Sequence, residues 1–426
     1  MMIKRNLLKK YFIIGWFLYF NIFQVRSQIT PPDQPSYGPG GNNYSYQTVD
    51  SSRYGTNIYD MYWLFEPNSP KPDSLPIIVL FHGTLYDVDS NIAPNYELQL
   101  IHHFVRKGYV VIFPLYQYGG NTLNNDDQLT NAGNVLNMAL SELDNGAHVK
   151  PKRDKNGKIM IGVTGYSRGG NMSMAISNNH TILGLPAFDA VADFVAANNY
   201  ETMQGISANT KIIIVLAQDD SYDDAPIEAM YAAWDSLYFI ACENKNFLTV
   251  HSDSTGSPVL TADHPFFVTN ANYPSSVNAL DYYGSWKLCV GLFNCAFYGS
   301  DCDYALGMDS NVTYMGTWSN GHPVDPITFN DTCSFSSIQE IKNATENIRI
   351  YPNPIKDHAA IYWPKDLILN NASLKLYDLY GEMVVNIQSI SENGIQINIQ
   401  QLQKGMYLYS FSNNLLQLYN GKIIIQ

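Results

Sequence analysis

Positive charge is scarce in this chain. Lys and Arg number 25 against 38 Asp and Glu, giving a formal net charge of −13 over 426 residues. A nucleic-acid-binding surface needs the opposite balance, so that class of partner is excluded. Cysteine is scarce too: there are five, and none precedes Cys242. They form no C-x-x-C pair, which removes the usual ligand spacing of a zinc site. Internal repeats and coiled-coil heptads are absent, which excludes solenoid and coiled-coil architectures.

The N-terminus has no acidic residue before Gln28. Lys4, Arg5, Lys9 and Lys10 precede a run, Tyr11 to Phe23, that is apolar except for Gly15 and Asn21. That charge order is an export signal's, and the run is short for a bilayer span. Residues 1–27 are therefore expected to be a signal peptide cleaved near Ser27/Gln28, although Val25 is larger than such a site prefers. Its removal takes the formal charge to −18. Export places the cysteines where disulfides form. Cys289, Cys295, Cys302 and Cys333 share a loop-rich region, so one or two bridges are expected there, and the odd count leaves at least one thiol over.

After a Pro-, Gly- and Asn-rich arm (Ile29 to Asn43), apolar runs alternate with helical spacing. Strands are expected at Tyr59–Phe65, Pro76–Phe81, Tyr109–Pro114, Ile159–Thr164, Ala190–Ala196, Lys211–Ala217 and Phe247–Ser252. Helices are expected at Tyr96–Arg106, Leu129–Leu143, Arg168–Ser177, Ile227–Ile240 and Leu280–Phe297. That order implies an α/β fold, a doubly wound and mostly parallel sheet. Residues 28–333 would form this domain, with a Cys-containing extension at its end, and 334–347 a linker. From 348 to 426 short apolar segments split by turn residues indicate a small all-β sandwich.

Ile159 to Gly170 carries the chemistry. An apolar strand ends in Gly165-Tyr166-Ser167-Arg168-Gly169, and a helix follows. A sharp strand-to-helix turn exposes the serine hydroxyl at the helix's positive end, and small residues two positions either side avoid clashes. A serine hydroxyl needs a base to take its proton and an acid to orient that base, supplied by later loops in the order Ser, Asp, His. The acid loop reads Gln218-Asp219-Asp220-Ser221-Tyr222-Asp223-Asp224, with Asp220 the first candidate and Asp219 the second. His264 follows the last core strand and is the candidate base, with His322 as the lesser alternative. His251 lies inside a predicted strand, and His102 and His103 lie on a helix before the nucleophile. Backbone N–H groups of Arg168 and Thr84 are the candidate oxyanion donors, with Gly83 letting the chain turn in close and His82 supporting that loop.

The His82-Gly83 loop, the Gly165-x-Ser167-x-Gly169 motif, the Asp219/Asp220 loop and His264, in this order, resemble the α/β-hydrolase family, in its secreted esterase and lipase branch. The resemblance implies acyl transfer to water through an acyl-serine, with an ester substrate, no cofactor and no metal. Ile350-Tyr351-Pro352-Asn353-Pro354, Leu376-Tyr377-Asp378, Gly381, Gly405-Met406-Tyr407 and Lys422 to Ile425 resemble the type IX secretion sorting domain. That implies the type IX secretion machinery as partner and a secreted or surface location reached through the periplasm. A peptidase on the same fold and a non-catalytic secreted binding protein are the rival functions. The segment from Ala187 to Met203 is the expected place for the acyl pocket.

Overall fold

Strands buried on both faces need apolar residues at every position, and Ile77–Phe81 and Val110–Pro114 are runs of this kind. The computed structural model describes residues 28–57, 59–85, 90–117, 125–196, 203–221, 227–268, 277–331, 349–362, 372–379, 381–390, 395–397, 399, 401–413 and 416–426. The expected signal peptide, linker and Cys333 lie outside these residues. The chain divides into two units, Met1–Ser334 and Phe335–Gln426.

The first unit is built on a nine-stranded sheet. Its strands are β1 (Val49–Tyr54), β2 (Tyr62–Pro67), β3 (Ile77–Phe81), β4 (Val110–Pro114), β5 (Ile161–Tyr166), β6 (Ala190–Phe194), β7 (Lys211–Ala217), β8 (Lys245–Val250) and β9 (Thr328–Asp331). Across the sheet they run β1-β2-β4-β3-β5-β6-β7-β8-β9. From β4 to β8 every neighbouring pair is parallel, and the edges β1, β2 and β9 pair antiparallel. The fold is therefore the mostly parallel, doubly wound sheet expected. β1 and β9 were not visible as strands, because both lie at exposed edges and carry polar residues on both faces. β2 starts three residues later than expected: Asp60 instead accepts the N–H groups of Thr56 and Asn57, closing a turn.

Alternation on β3 assigns the layers. Ile78 and Leu80 share a core with α1 (Leu98–Lys107) and α5 (Trp286–Tyr298). Ile77, Val79 and Phe81 share the opposite core with α2 (Asn125–Asn145), α3 (Arg168–Asn178) and α4 (Ile227–Ser236). A π-helical stretch, Leu280–Ser285, runs straight into α5. Cys289 lies on α5, inside the helix expected over Leu280–Phe297, where its neighbours Leu288, Leu292 and Phe293 are buried against the sheet. It is a buried free thiol, pushed up to about 12 by burial. Cys295 and Cys302 form a disulfide between α5 and the extension, and Cys242 is also disulfide-bonded.

The N-terminal arm and the extension are both tied to this body. His103 on α1 bonds the Pro39 carbonyl (2.9 Å) and the Tyr44 hydroxyl (3.1 Å), and it is buried. Thr30 and Ser319 exchange two bonds. Lys287 on α5 donates to the carbonyls of Asn311, Val312 and Tyr314 at 2.8–2.9 Å. Burial pushes this amine down to about 7, yet three carbonyl acceptors call for three N–H donors, which only the ammonium form supplies.

The second unit is a β-sandwich. One sheet orders Arg349–Tyr351, Ala359–Tyr362 and Ile395–Ile397; the other orders Met383–Ile390, Ala372–Tyr377, Gly405–Asn413 and Leu416–Ile425, all antiparallel. Ile350, Ile361 and Ile397 from the first share a core with Leu374, Leu376, Phe411 and Ile423 from the second.

Lys287→Met keeps the aliphatic stem but leaves three carbonyls without their donor. A buried polar group left unsatisfied costs about 1–3 kcal/mol. The variant should unfold at lower denaturant than wild type, with an unchanged slope, in an equilibrium titration followed by tryptophan fluorescence.

Candidate active site

Ser167 stands where β5 ends and α3 begins, with φ 54° and ψ −125°. That conformation is costly for a residue with a Cβ, and the surroundings hold it in place. Its N–H donates to the Phe194 carbonyl (2.9 Å), and its carbonyl accepts from Asn171 (3.2 Å). Val195, the next residue after Phe194, has φ 43° and donates its N–H to Val215 (2.9 Å). A β-branched residue rarely adopts that conformation, so both sides of this bond are constrained. Glycine is required on each flank of Ser167. A Cβ on Gly165 would lie 2.5 Å from the Gly169 carbonyl and 2.6 Å from the Phe81 oxygen; one on Gly169 would lie 2.2 Å from the Phe81 oxygen.

The loops after β7 and β8 bring the other candidates to this point. His264 opens a single 3₁₀ turn, His264–Phe267. Its Nε2 is 2.9 Å from Ser167 Oγ, and its Nδ1 is 2.9 Å from Asp220 Oδ2. Asp219 points elsewhere. Its carboxylate accepts the Ser252 hydroxyl (2.5 Å), and that oxygen in turn accepts the Ala262 N–H (2.7 Å). The Asp219 N–H donates to the Ala262 carbonyl (2.9 Å). One carboxylate of the pair thus meets the histidine while the other fastens the acid loop to the base loop. Burial raises the Asp263 carboxyl above its ordinary range, with Asp220 and Asp219 adding repulsion.

His322 is exposed, in a turn away from these bonds. His251 follows β8 and joins Gln218 (3.2 Å) to Thr328 (2.8 Å) on the edge strand. His103 is the tether of the N-terminal arm described above. Residues 197–202 of the segment expected to shape the acyl pocket lie outside the described residues, as do Tyr222, Asp223 and Asp224.

The loop after β3 lies beside Ser167. His82 is fully buried, stacks on Tyr116 at 4.4 Å, and its Nδ1–H donates to the Gly83 carbonyl (2.6 Å). Tyr116 donates its hydroxyl to the His82 carbonyl (2.7 Å). Gln117 accepts the Leu85 N–H (2.9 Å) and donates to its carbonyl (3.1 Å). Thr84 is therefore held between two pinned neighbours. Sequence reasoning missed Tyr116 and Gln117. Their one signal is position: they follow β4, which pairs parallel with β3, so both chains arrive at the same edge. The Arg168 guanidinium reaches Asn125 (3.0 Å) and Gln128 (3.2 Å) on α2.

This sheet order, with a serine at the β5–α3 turn, defines an α/β-hydrolase fold. Residues 63–233 match the dienelactone hydrolase family, and residues 349–426 match the secretion system C-terminal sorting domain. Both resemblances read from the sequence are thereby borne out. The family match supports hydrolase activity on esters. The sorting domain implies the type IX secretion machinery as partner and indicates type IX secretion to the cell surface or the extracellular space. No curated protein sequence matches the chain.

Three solved structures are similar to part of this chain. The first is esterase B from Lactobacillus rhamnosis inhibited by a tributyrin phosphonate, at 14% identity and TM-score 0.42, covering 59% of this chain and 89% of that one. The second is an esterase from Rhizomucor miehei, at 13% and 0.43, covering 60% and 87%. The third is a dienelactone hydrolase-like promiscuous phosphotriesterase from metagenomic libraries, at 12% and 0.38, covering 59% and 99%.

Two predictions follow from this packing. Gly165→Ala should cut the yield of folded protein, measured by size-exclusion chromatography, because its methyl meets backbone that has no rotamer to yield. Burial also pushes His82 down to about 4 from an ordinary value of about 6.5. Its unfolded form then binds more protons than its folded form between those values, so stability is full above about pH 6.5 and is lost as pH falls toward 4. Denaturation midpoints measured at pH 7, 5.5 and 4.5 should drop in turn, and His82→Gln should flatten the slope.

Proposed function

We propose that the chain is a secreted serine hydrolase that cleaves carboxylic esters through an acyl-serine intermediate. The observation that carries this is His264, bonded to Ser167 on one nitrogen and Asp220 on the other, at 2.9 Å each. A carboxylate on Nδ1 fixes the tautomer with the proton there, which leaves Nε2 as the acceptor for the serine proton. As Ser167 Oγ attacks the ester carbonyl, His264 takes that proton and Asp220 stabilises the imidazolium formed. His264 then returns the proton to the departing alcohol. Water deacylates the serine by the same steps in reverse order of partners.

The tetrahedral oxyanion needs fixed donors. The Arg168 N–H is suited to this because the first N–H groups of a helix have no partner within it. The Thr84 N–H is the second donor in this proposal. Support comes from the loop around it: bonds from Tyr116, His82 and Gln117 remove its freedom before substrate arrives. Burial pushes His82 down to about 4, so at neutral pH it adds no charge to this loop.

Short-chain aryl esters should be hydrolysed, and a serine-directed phosphonate should add its mass to the peptide carrying Ser167. Ser167→Ala should abolish both while leaving the circular dichroism spectrum unchanged; full activity in that variant overturns the mechanism. Asp220→Asn should lower kcat by about 10⁴-fold, as expected when the orienting acid is lost. Asp219→Asn should cost far less activity and should act mainly on thermal stability. Turnover of peptides without esters would assign the site to a peptidase instead.

A further inference from the structure

Gly83 lies in the candidate oxyanion loop, and its backbone does not explain why it is glycine. It is absent from the residues with positive φ, so its conformation would accept any side chain. The nearest obstacle is one ring. A Cβ on Gly83 would lie 2.7 Å from Tyr166 Cζ, 2.9 Å from Cε1 and 2.9 Å from the hydroxyl oxygen. Tyr166 is the residue just before Ser167, and it is half-buried.

The same ring reaches the other side of the site. It stacks on Phe267 at 5.7 Å with 23° between planes, and its centroid is 6.2 Å from the His264 ring. Phe267 in turn packs on Phe194 at 4.8 Å. The Phe194 carbonyl accepts the Ser167 N–H. The contacts therefore form a closed circuit: Ser167, Phe194, Phe267, Tyr166 and back to the serine through the chain, with Gly83 and His264 resting on the tyrosine.

Granting the serine chemistry proposed above, we infer that Tyr166 is a positioning residue that sets the spacing between the oxyanion loop and the base turn. One rigid aromatic plane touches the loop that offers the Thr84 N–H, the turn that offers His264, and the backbone of the nucleophile. A shift of the ring moves oxyanion donor and base together. Gly83 is glycine because the loop must lie directly against that plane. A methyl there pushes the loop away from Ser167 or forces the ring off Phe267, and either displacement misplaces a group that must sit within about 0.5 Å of its productive position.

Combined substitutions test this. G83A should lower kcat by about 10²-fold, the scale of a lost oxyanion donor, with KM changed much less. Y166L removes the three atoms that the methyl would meet and keeps apolar bulk against Phe267; alone it should cost about tenfold in kcat. G83A/Y166L should then be no worse than Y166L, since the clash is gone. Y166F keeps Cζ and Cε1, so alone it should stay within about threefold of wild type, and G83A/Y166F should be as impaired as G83A. The rate of phosphonate addition at Ser167 should follow the same order, which separates positioning from loss of stability read by thermal melts. Y166M replaces Y166L if the latter does not fold.

Losses that multiply in G83A/Y166L, or a G83A variant at wild-type kcat, overturn the inference while leaving the serine mechanism standing. A wild-type chain that neither hydrolyses esters nor reacts with the phosphonate overturns both.

Discussion

A serine held at positive φ needs its neighbours to close around it, and the rest of the site is arranged about that requirement. The Ser167 N–H is committed to Phe194 across the sheet, and no Cβ is tolerated at Gly165 or Gly169. Because the Phe81 and His82 carbonyls occupy that space, the loop after β3 is forced against the nucleophile turn. Parallel pairing then does the remainder. β3, β5, β6, β7 and β8 all end at one edge, so the loops that follow them meet there without any sequence proximity. Ser167, Asp220 and His264 are up to 97 residues apart and are joined by two hydrogen bonds.

Polar groups around this edge divide into those that hold and those in the proposed chemistry. Asp219 and Asp220 are adjacent in the chain, but one binds Ser252 and the other His264. Backbone direction separates them, since the Asp219 N–H is tied to Ala262 and turns its side chain toward the base loop's own anchor. His82 and His103 show the other outcome for a histidine. Burial keeps both neutral; His103 spends both ring nitrogens, on the Pro39 carbonyl and the Tyr44 hydroxyl, and His82 spends its Nδ1–H on the Gly83 carbonyl. In each case burial and partners decide the role of a residue type that composition alone leaves open.

Secretion to the surface or medium places a protein where reducing systems are absent. The Cys295–Cys302 disulfide fastens the start of the extension to α5, and Lys287 fastens its middle through three carbonyls. The free thiol, Cys289, is buried against the nucleophile strand near Thr164 and is raised to about 12, which keeps it out of thiolate chemistry.

The order of the core strands, the helices between them and the serine turn were legible in the sequence, because buried parallel strands write themselves as unbroken apolar runs and a strand-to-helix elbow requires small residues at fixed offsets. The edge strands β1 and β9 were not legible, since an exposed edge carries no apolar pattern to read. The motifs of the sorting domain were also readable, being local and ordered. Three matters belonged to the tertiary structure alone: that Tyr116 and Gln117 hold the loop on either side of Thr84, which cysteines join, and why Gly83 carries no side chain. Apart from the Cys295–Cys302 pair, which is seven residues apart, each depends on groups far apart in the chain that only the packed sheet edge brings within hydrogen-bond or van der Waals distance.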